Sequence, residues 1–313
     1  MRISRQGQLN PLYSSAMFGH VITAMVTPFS DTGHVDYDEA LRLANHLIDH
    51  GSDSLVLCGT TGEAPTLTHD EEIKLFNCII KGVNGRAKIL AGTGSNCTRT
   101  AIEMTKKAAS LGADGTLQVT PYYNKPSQDG IKRHIEAIAT ATPLPIMLYN
   151  IPSRTGTAIQ PSTIATLAEL DTVVCLKEAS GSTALFKEIK AVVPDGFDLY
   201  SGDDGLTIDF LRAGALGVVS VASHLAGNKI QAMIRAFHQG NTKIATSISD
   251  VLLPLFDILF ITSNPSPIKY ALMLKGFNVG VPRLPLIELS RDEKEKIKSL
   301  LTMLPLKTYL DIP

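Results

Sequence analysis

Short runs of almost entirely apolar residues alternate with longer amphipathic stretches along most of this 313-residue chain. The runs cover residues 21–26, 54–58, 88–91, 115–119, 145–149, 173–177, 198–201 and 217–221. Strands that are apolar on both faces are typical of a parallel sheet covered by helices. The alternation therefore predicts an α/β fold built from strand–helix–strand units.

The stretches between the runs carry apolar residues at helical spacing, and several begin with capping signals. Asp36 with Glu39, and Thr68 with Glu71, predict a capping box at the start of each of the first two helices. Eight strand–helix units that end by residue 240 favour a closed TIM (β/α)8 barrel. An open doubly wound sheet is the competing prediction, but no GxGxxG sequence follows the first run.

Residues beyond the eighth unit lack strand-like runs and have helical patterns at 244–261, 265–276 and 290–303. We therefore expect three parts, which are an N-terminal tail over 1–17, a barrel over 18–240 and a C-terminal helical segment over 241–313. The C-terminal helical segment is expected to pack on the barrel or to contribute to oligomer contacts.

Composition excludes several classes of partner. Lys and Arg number 29 and Asp and Glu number 30, so no general attraction to nucleic acid or to an acidic membrane is expected. No apolar run reaches the roughly 18 residues that a membrane-spanning helix needs. The four cysteines form no CxxC pair, which suits the reducing cytoplasm.

Polar residues at the ends of the apolar runs are the candidate site residues, because the carboxyl ends of barrel strands surround the active site. Lys177 ends the sixth run, where burial would favour a neutral amine that can attack a ketone and form an imine. Tyr149 ends the fifth run, and its phenol could exchange protons with that amine. The alternative is a structural lysine paired with a buried carboxylate such as Glu178.

Two further groups could bind a carboxylate. Thr60 and Thr61 lie in a glycine-bounded turn after the second run, where backbone N–H groups and hydroxyls suit an anion. Arg154 follows a Pro-Ser turn, and its guanidinium can form a two-point contact. The alternative for Thr60 and Thr61 is that they only stabilise the turn. The alternative for Arg154 is a surface ion pair.

Three motifs resemble those of the pyruvate-dependent class I aldolases and lyases, and most closely those of the dihydrodipicolinate synthase family. They are Gly59-Thr60-Thr61-Gly62-Glu63, Tyr149-Asn150-Ile151-Pro152-Ser153-Arg154-Thr155-Gly156 and Lys177-Glu178-Ala179-Ser180-Gly181. The resemblance implies a lyase that condenses pyruvate with L-aspartate-4-semialdehyde, the first committed step of the diaminopimelate route to lysine. It implies no metal and no organic cofactor, since pyruvate would be held as an imine on Lys177.

The resemblance also assigns roles to single residues. The catalytic set it implies is Lys177, Tyr149, Thr60 and Tyr123, with Tyr123 acting across a subunit contact in a homotetramer made of two dimers. The substrate-binding set is Thr61 for the carboxylate of pyruvate, Val219 as a backbone contact to pyruvate, Arg154 for the carboxylate of the aldehyde, and Gly202 in the pocket wall.

Many members of the resembled family are inhibited by L-lysine at the dimer interface. The matching positions here are Ala64, Pro65, His69, Glu72, Asn96, Thr100 and Tyr122. Thr100 departs from the acidic residue often found there, and Glu72 could supply the missing charge, so we expect inhibition by millimolar lysine. The alternative is that the acidic residues after His69 only stabilise the first turn of a helix.

Four other functions fit parts of the sequence. An N-acetylneuraminate or keto-deoxy-sugar lyase shares the lysine and the tyrosine, but typically has Ser-Thr at Thr60-Thr61 and no arginine at Arg154. A phosphate-binding barrel is disfavoured by the acidic pair Asp203-Asp204 after the seventh run. A non-catalytic sensor is disfavoured by the joint presence of Lys177, Tyr149 and Thr60. A metal-dependent aldolase needs clustered His and carboxylate ligands, and the strand ends carry no His cluster.

Overall fold

The computed structural model describes residues 17–304, so that nearly all of the predicted tail over 1–17 lies outside the described residues. The strands in this range are β1 Val21–Ala24, β2 Ser54–Leu57, β3 Lys88–Gly92, β4 Gly115–Val119, β5 Ile146–Asn150, β6 Val173–Glu178, β7 Asp198–Ser201 and β8 Gly217–Ser220. Each strand pairs in parallel with the next, and β8 pairs with β1. The predicted TIM barrel is confirmed, and each strand ends within two residues of its apolar run.

Helices follow the strands and cover the outside of the barrel. They are α1 Tyr37–Asp49, α2 His69–Val83, α3 Thr98–Leu111, α4 Gln128–Ala141, α5 Pro152–Thr155, α6 Pro161–Leu167, α7 Thr183–Val192, α8 Thr207–Arg212, α9 Ser223–His238, α10 Thr242–Ile258, α11 Ser266–Leu274 and α12 Arg291–Met303. The sequence did not predict α5, because four residues are too few to show helical periodicity. Within residues 17–304, no helix combines the length and the hydropathy needed to cross a bilayer.

One of the two predicted capping boxes is complete. Thr68 and Glu71 exchange both hydrogen bonds at the start of α2. Asp36 accepts a hydrogen bond from the N–H of Glu39 (2.9 Å), but Glu39 does not return one. Its carboxylate binds the guanidinium of Arg42 and the N–H of Asn278 instead, so this half of the prediction is wrong. Arg42, one turn along α1, competes with the backbone N–H of Asp36 for the Glu39 carboxylate.

The interior of the barrel is an apolar cluster separate from the layer between strands and helices. Its buried members are Phe18, Ile22, Ala24, Val56, Leu90, Leu117, Met147, Tyr149, Ile151, Cys175, Tyr200 and Val219. Phe18 precedes β1, and a side chain on Gly115, at the start of β4, would meet its ring at 2.7 Å. Tyr200 donates its hydroxyl proton to the carbonyl of Gly19 (2.9 Å). Large side chains therefore close the amino-terminal end of the barrel.

His224, near the start of α9, joins two loops at the other end of the barrel. Its Nε2 accepts a hydrogen bond from the N–H of Val26 (3.1 Å), and its Nδ1 donates to the carbonyl of Val221 (2.8 Å). Burial lowers the pKa of His224 from 6.5 to about 4. The ring is therefore neutral in the folded protein at neutral pH.

We expect acid to destabilise the fold through His224, by about 3 kcal/mol between about pH 7 and about pH 4. The unfolded chain protonates this ring near pH 6.5, whereas the folded protein resists protonation until pH approaches 4, so acid favours unfolding. Urea denaturation of the wild type and of His224→Gln at both pH values measures the effect. The variant should lose less stability on acidification, and an equal loss in the two proteins would contradict the prediction.

Candidate active site

Lys177 lies on β6, flanked by a tyrosine on each neighbouring strand. Its register partners are Tyr149 of β5 and Tyr200 of β7. Its Nζ lies 4.2 Å from the centroid of the Tyr149 ring, and the residue is only 6% exposed. Among residues 17–304, no carboxylate forms an ion pair with it. The amine is therefore buried without a fixed anionic partner.

Glu178, the structural partner considered from the sequence, has other contacts. Its carboxylate accepts hydrogen bonds from Nδ2 of Asn150 (2.7 Å) and from the N–H of Ser180 (2.6 Å). Burial raises the pKa of Glu178, and these hydrogen bonds oppose that rise. Glu178 therefore does not form an ion pair with Lys177.

The two tyrosines beside Lys177 differ in what their hydroxyls contact. The Tyr200 hydroxyl is committed to Gly19 at the closed end of the barrel. Tyr149 lines the cavity at the opposite end, and its hydroxyl has no hydrogen-bond partner within the described part of the chain. Tyr149 is therefore the one of the pair whose hydroxyl can exchange a proton with a bound molecule.

A cavity of about 310 Å³ opens at the carboxyl ends of the strands. Its wall contains Thr60, Tyr149 and Arg154 from the predicted catalytic and substrate sets, and Ala64, Pro65, His69, Glu72, Thr100 and Tyr122 from the predicted inhibitor set. The structure therefore brings parts of both sets to one space. Lys177, Thr61, Val219, Gly202, Tyr123 and Asn96 lie outside its lining.

The two threonines of the predicted anion-binding turn have different surroundings. Thr60 lies in the cavity wall and is half-buried. Thr61 is buried, and its Oγ1 accepts a hydrogen bond from Nδ2 of Asn264 (2.9 Å), between α10 and α11. That contact uses the acceptor side of the Thr61 hydroxyl and leaves its proton available to a second acceptor.

Glu63 ends this turn in a left-handed backbone conformation, with φ of 56°. Its carboxylate lies 2.7 Å from Nζ of Lys269 on α11 and accepts a hydrogen bond from the N–H of Arg283 (2.9 Å). Burial lowers the pKa of Lys269 to about 8, and the Glu63 carboxylate opposes that shift. Lys269 was not among the predicted site residues, although a lysine within the mostly apolar sequence of α11 is a signal of a buried partner.

Gly202 and Val219, both in the predicted substrate-binding set, lie outside the cavity lining, and Gly202 closely approaches Lys177. A side-chain carbon on Gly202 would lie 3.1 Å from Cε of Lys177 and 2.9 Å from the carbonyl oxygen of Glu178. The close approach of β7 to β6 therefore requires a glycine here. Val219, on β8, belongs to the interior cluster.

Asp204 occupies a group of anion-binding donors at the start of α9. Its carboxylate accepts hydrogen bonds from the N–H groups of Val221 and Ala222, each at 2.9 Å, and from the Ser220 hydroxyl. Burial raises the pKa of Asp204, and these donors oppose the rise. Barrels that bind phosphate commonly do so at the loops after β7 and β8. Because a carboxylate of the chain already fills these donors, the structure does not support the phosphate-binding alternative.

Tyr123 and Arg154 are exposed at the mouth of the barrel. Tyr123 is 88% exposed, so a single chain does not bring it to Lys177. Arg154, on α5, lines the cavity and forms no ion pair with the residues that the structure describes. Its guanidinium can therefore meet an anion that enters the mouth.

Within the predicted inhibitor set, Glu72 is buried and contacts Nδ1 of His69 (3.0 Å). Burial raises the pKa of Glu72, and His69 opposes the rise. The carbonyl of Asn96 accepts a hydrogen bond from Nδ2 of Asn124 (2.9 Å), away from the cavity wall. In the described range, no group of three His, Cys, Asp or Glu side chains is placed to hold a metal ion.

The closed barrel, with a buried lysine amine beside an uncommitted phenol at its mouth, defines a barrel enzyme of the Schiff-base class I aldolase type. The sequence places it more narrowly. Residues 17–304 match the model of the Dihydrodipicolinate synthetase family, and the chain belongs to that family.

Individual relatives agree with this assignment. The chain is 56% identical over 284 residues to the 4-hydroxy-tetrahydrodipicolinate synthase of Synechococcus sp. (strain JA-2-3B'a(2-13)), covering 91% of this chain and 93% of the relative. It is 49% identical to a solved synthase from Cyanidioschyzon merolae with lysine bound, with a TM-score of 0.91 over 93% of this chain and 99% of the other. A Bacillus anthracis dihydrodipicolinate synthase is 44% identical, with a TM-score of 0.90 and coverage of 92% and 99%.

Proposed function

We propose that the protein condenses pyruvate with L-aspartate-4-semialdehyde to give 4-hydroxy-tetrahydrodipicolinate, with Lys177 as the nucleophile. The observation that carries the proposal is the buried Lys177 amine, which has no carboxylate partner in the described range and lies 4.2 Å from the Tyr149 ring. Relatives that are 56% and 53% identical to this chain are named 4-hydroxy-tetrahydrodipicolinate synthase.

In the proposed reaction, the neutral Lys177 amine attacks the keto carbon of pyruvate and water leaves, which gives an imine. Loss of a methyl proton converts the imine to an enamine, whose carbon attacks the aldehyde and regenerates the imine. The amino group of the aldehyde substrate then attacks the imine carbon, which closes the ring and expels the Lys177 amine. Each step moves a proton, and Tyr149, Thr60 and Tyr123 are the proposed relay. Thr61 and Arg154 would bind the two substrate carboxylates. Val219 would contact pyruvate through its backbone, and Gly202 would form part of the pocket wall. The protein would need no organic cofactor, since the imine on Lys177 is itself the electron acceptor.

The experiment that tests the reaction is pyruvate consumption by the purified protein with L-aspartate-4-semialdehyde, run beside N-acetylmannosamine. Turnover that depends on the semialdehyde supports the proposal. Turnover only with the amino sugar would move the protein to the N-acetylneuraminate lyases and leave Arg154 without a substrate carboxylate to bind. A folded protein that uses neither aldehyde would contradict the proposed reaction.

We also propose a homotetramer of two dimers, in which Tyr123 enters the active site of the neighbouring chain. The high exposure of Tyr123 (88%), next to the partly exposed Tyr122 (37%), supports a contact between chains at this edge of the mouth. The four cysteines, none of them in a disulfide within the described residues, suit a cytoplasmic location.

Tyr123→Phe and Lys177→Ala are expected to be nearly inactive alone and to recover activity when they are mixed. Dissociation and reassociation of the two variants would create some sites with an intact lysine in one chain and an intact tyrosine from the other. The assay is turnover after denaturation and joint refolding, with each variant refolded alone as the control. Inactive mixed oligomers would mean that Tyr123 acts within its own chain.

We propose that L-lysine binds at Ala64, His69, Glu72, Asn96 and Tyr122 and inhibits at millimolar concentration. The shared cavity supports this, since it joins Glu72 and Tyr122 to Tyr149 and Thr60. Glu72→Gln should weaken inhibition, because a carboxylate that can hold an ammonium group is removed. Asp70→Asn, on the exposed start of α2, is the matched control. Full activity of the wild type in saturating lysine would refute the proposal.

A further inference from the structure

The turn formed by residues 59–63, here named the pyruvate turn, is attached to the C-terminal helical segment by side chains. Asn264 donates to Thr61, and Lys269 forms an ion pair with Glu63. We propose that the buried Glu63–Lys269 pair is a positioning device that fixes the pyruvate turn and thereby sets the affinity for pyruvate. The inference rests on the proposed function, because it takes pyruvate as the molecule that this turn binds.

The backbone of Glu63 shows why the turn needs to be held. With φ of 56°, Glu63 adopts a left-handed conformation that is unfavourable for a residue with a side chain. Such a conformation persists only where surrounding contacts determine it. Both carboxylate oxygens are occupied, since Oε1 lies 2.7 Å from Nζ of Lys269 and Oε2 accepts the N–H of Arg283. The side chain therefore restrains the backbone from two directions.

The buried charge of Lys269 is in turn compensated by the carboxylate of Glu63. Both side chains are 1% exposed, and Glu63 is the one anion that pairs with Lys269 among the described residues. Nζ also lies 4.0 Å from the centroid of the Phe29 ring and donates a long hydrogen bond to the carbonyl of Val281 (3.4 Å). A buried charge without its partner is strongly destabilising, whereas replacement of both members by neutral side chains is often tolerated.

Release of Glu63 would let the backbone relax toward negative φ and would displace the peptides of Thr61 and Gly62. Lys177 lies on β6, and Thr60 of the proposed proton relay precedes the displaced peptides, so the main effect should fall on pyruvate binding. We therefore expect the half-saturating pyruvate concentration to rise by about tenfold, while kcat at saturating pyruvate falls by a clearly smaller factor. A purely structural pair would instead alter stability without this split.

The test uses the double variant Glu63→Gln/Lys269→Met, which removes both charges and keeps similar volumes. Its matched control is Glu39→Gln, which weakens the contacts of Glu39 with Arg42 and with the N–H of Asn278. The contact with Asn278 also ties the C-terminal segment to the barrel, but Glu39 touches neither Glu63 nor Lys269. We expect the double variant to keep a Tm near that of the wild type and to show the raised half-saturation. Glu39→Gln should lower Tm and leave half-saturation unchanged.

An unchanged half-saturation in the double variant would overturn the proposal, and so would a matching rise in Glu39→Gln. Amide hydrogen exchange of residues 59–63, measured without substrate, tests positioning independently of the reaction. Faster exchange in the double variant than in Glu39→Gln supports the proposal, and equal exchange overturns it. Failure of the wild type to bind pyruvate would instead contradict the proposed function, and it would be evident before any variant is made.

Discussion

Replacement of Lys177 by alanine is expected to reduce turnover of pyruvate and L-aspartate-4-semialdehyde by at least about a thousandfold. No other lysine has the same surroundings in the described range, buried at the barrel mouth with the Tyr149 ring at 4.2 Å and no carboxylate partner. Without an amine at this place, the keto group of pyruvate has no nucleophile with which to form an imine. The steady-state rate with both substrates measures the loss.

A second variant of Lys177 tests whether activity requires a nucleophilic amine or only a positive charge at this position. Lys177→Arg keeps a positive charge but cannot supply a neutral nucleophile, so it should be as inactive as the alanine variant. Lys187→Ala, at an exposed position on α7, is the matched control and should keep wild-type turnover. Borohydride added with pyruvate should reduce the imine to a secondary amine, which leaves a carboxyethyl group on Lys177 of the wild type. Attachment at another lysine, or turnover in Lys177→Arg, would show that the nucleophile lies elsewhere.

Tyr149→Phe is expected to lower turnover by about a hundredfold to a thousandfold while the fold is retained. The ring would still pack beside Lys177, but the hydroxyl that has no protein partner within residues 17–304 would be lost. Because formation of the imine and of the enamine each require proton transfer, the loss should appear in kcat more than in pyruvate binding. Rapid-quench borohydride trapping should show slower imine formation.

Tyr200→Phe is the matched control, since Tyr200 flanks Lys177 on the other side at the same register. Its hydroxyl is already bonded to Gly19, so its loss should destabilise the fold by about 1–2 kcal/mol and leave kcat unchanged. Equal losses of turnover in the two tyrosine variants would mean that ring packing, and not proton transfer, explains the effect of Tyr149→Phe.

The sequence predicts the barrel well because its signals are local. Each buried strand is an apolar run, and the active-site end of a parallel barrel follows from chain direction. Lys177 and Tyr149 could therefore be placed on neighbouring strands from the sequence alone, and in the structure they are register partners. Whether Glu178 pairs with Lys177 could not be settled, because which of two adjacent side chains meets Asn150 depends on packing between strands.

Contacts between distant segments could not be predicted from the sequence patterns. Glu63 lies within a motif that was noticed, but its partner Lys269 is more than two hundred residues further along the chain. The same holds for Asp204, whose acidity was noticed while its role as the acceptor for Val221 and Ala222 was not. Ion pairs of this kind depend on three-dimensional closure, for which a single sequence carries no periodic signal.

The closed amino-terminal end of the barrel also directs small molecules to the opposite end. Phe18 and Tyr200 fill the amino-terminal end, so in the proposed reaction the water released at Lys177 would leave through the mouth at which Tyr149 and Arg154 lie. The aldehyde would arrive by the same route. Because the imine has to form before the enamine can attack, release of that water would precede use of the aldehyde. A static plug of aromatic side chains would in this way make one mouth both the exit and the entrance.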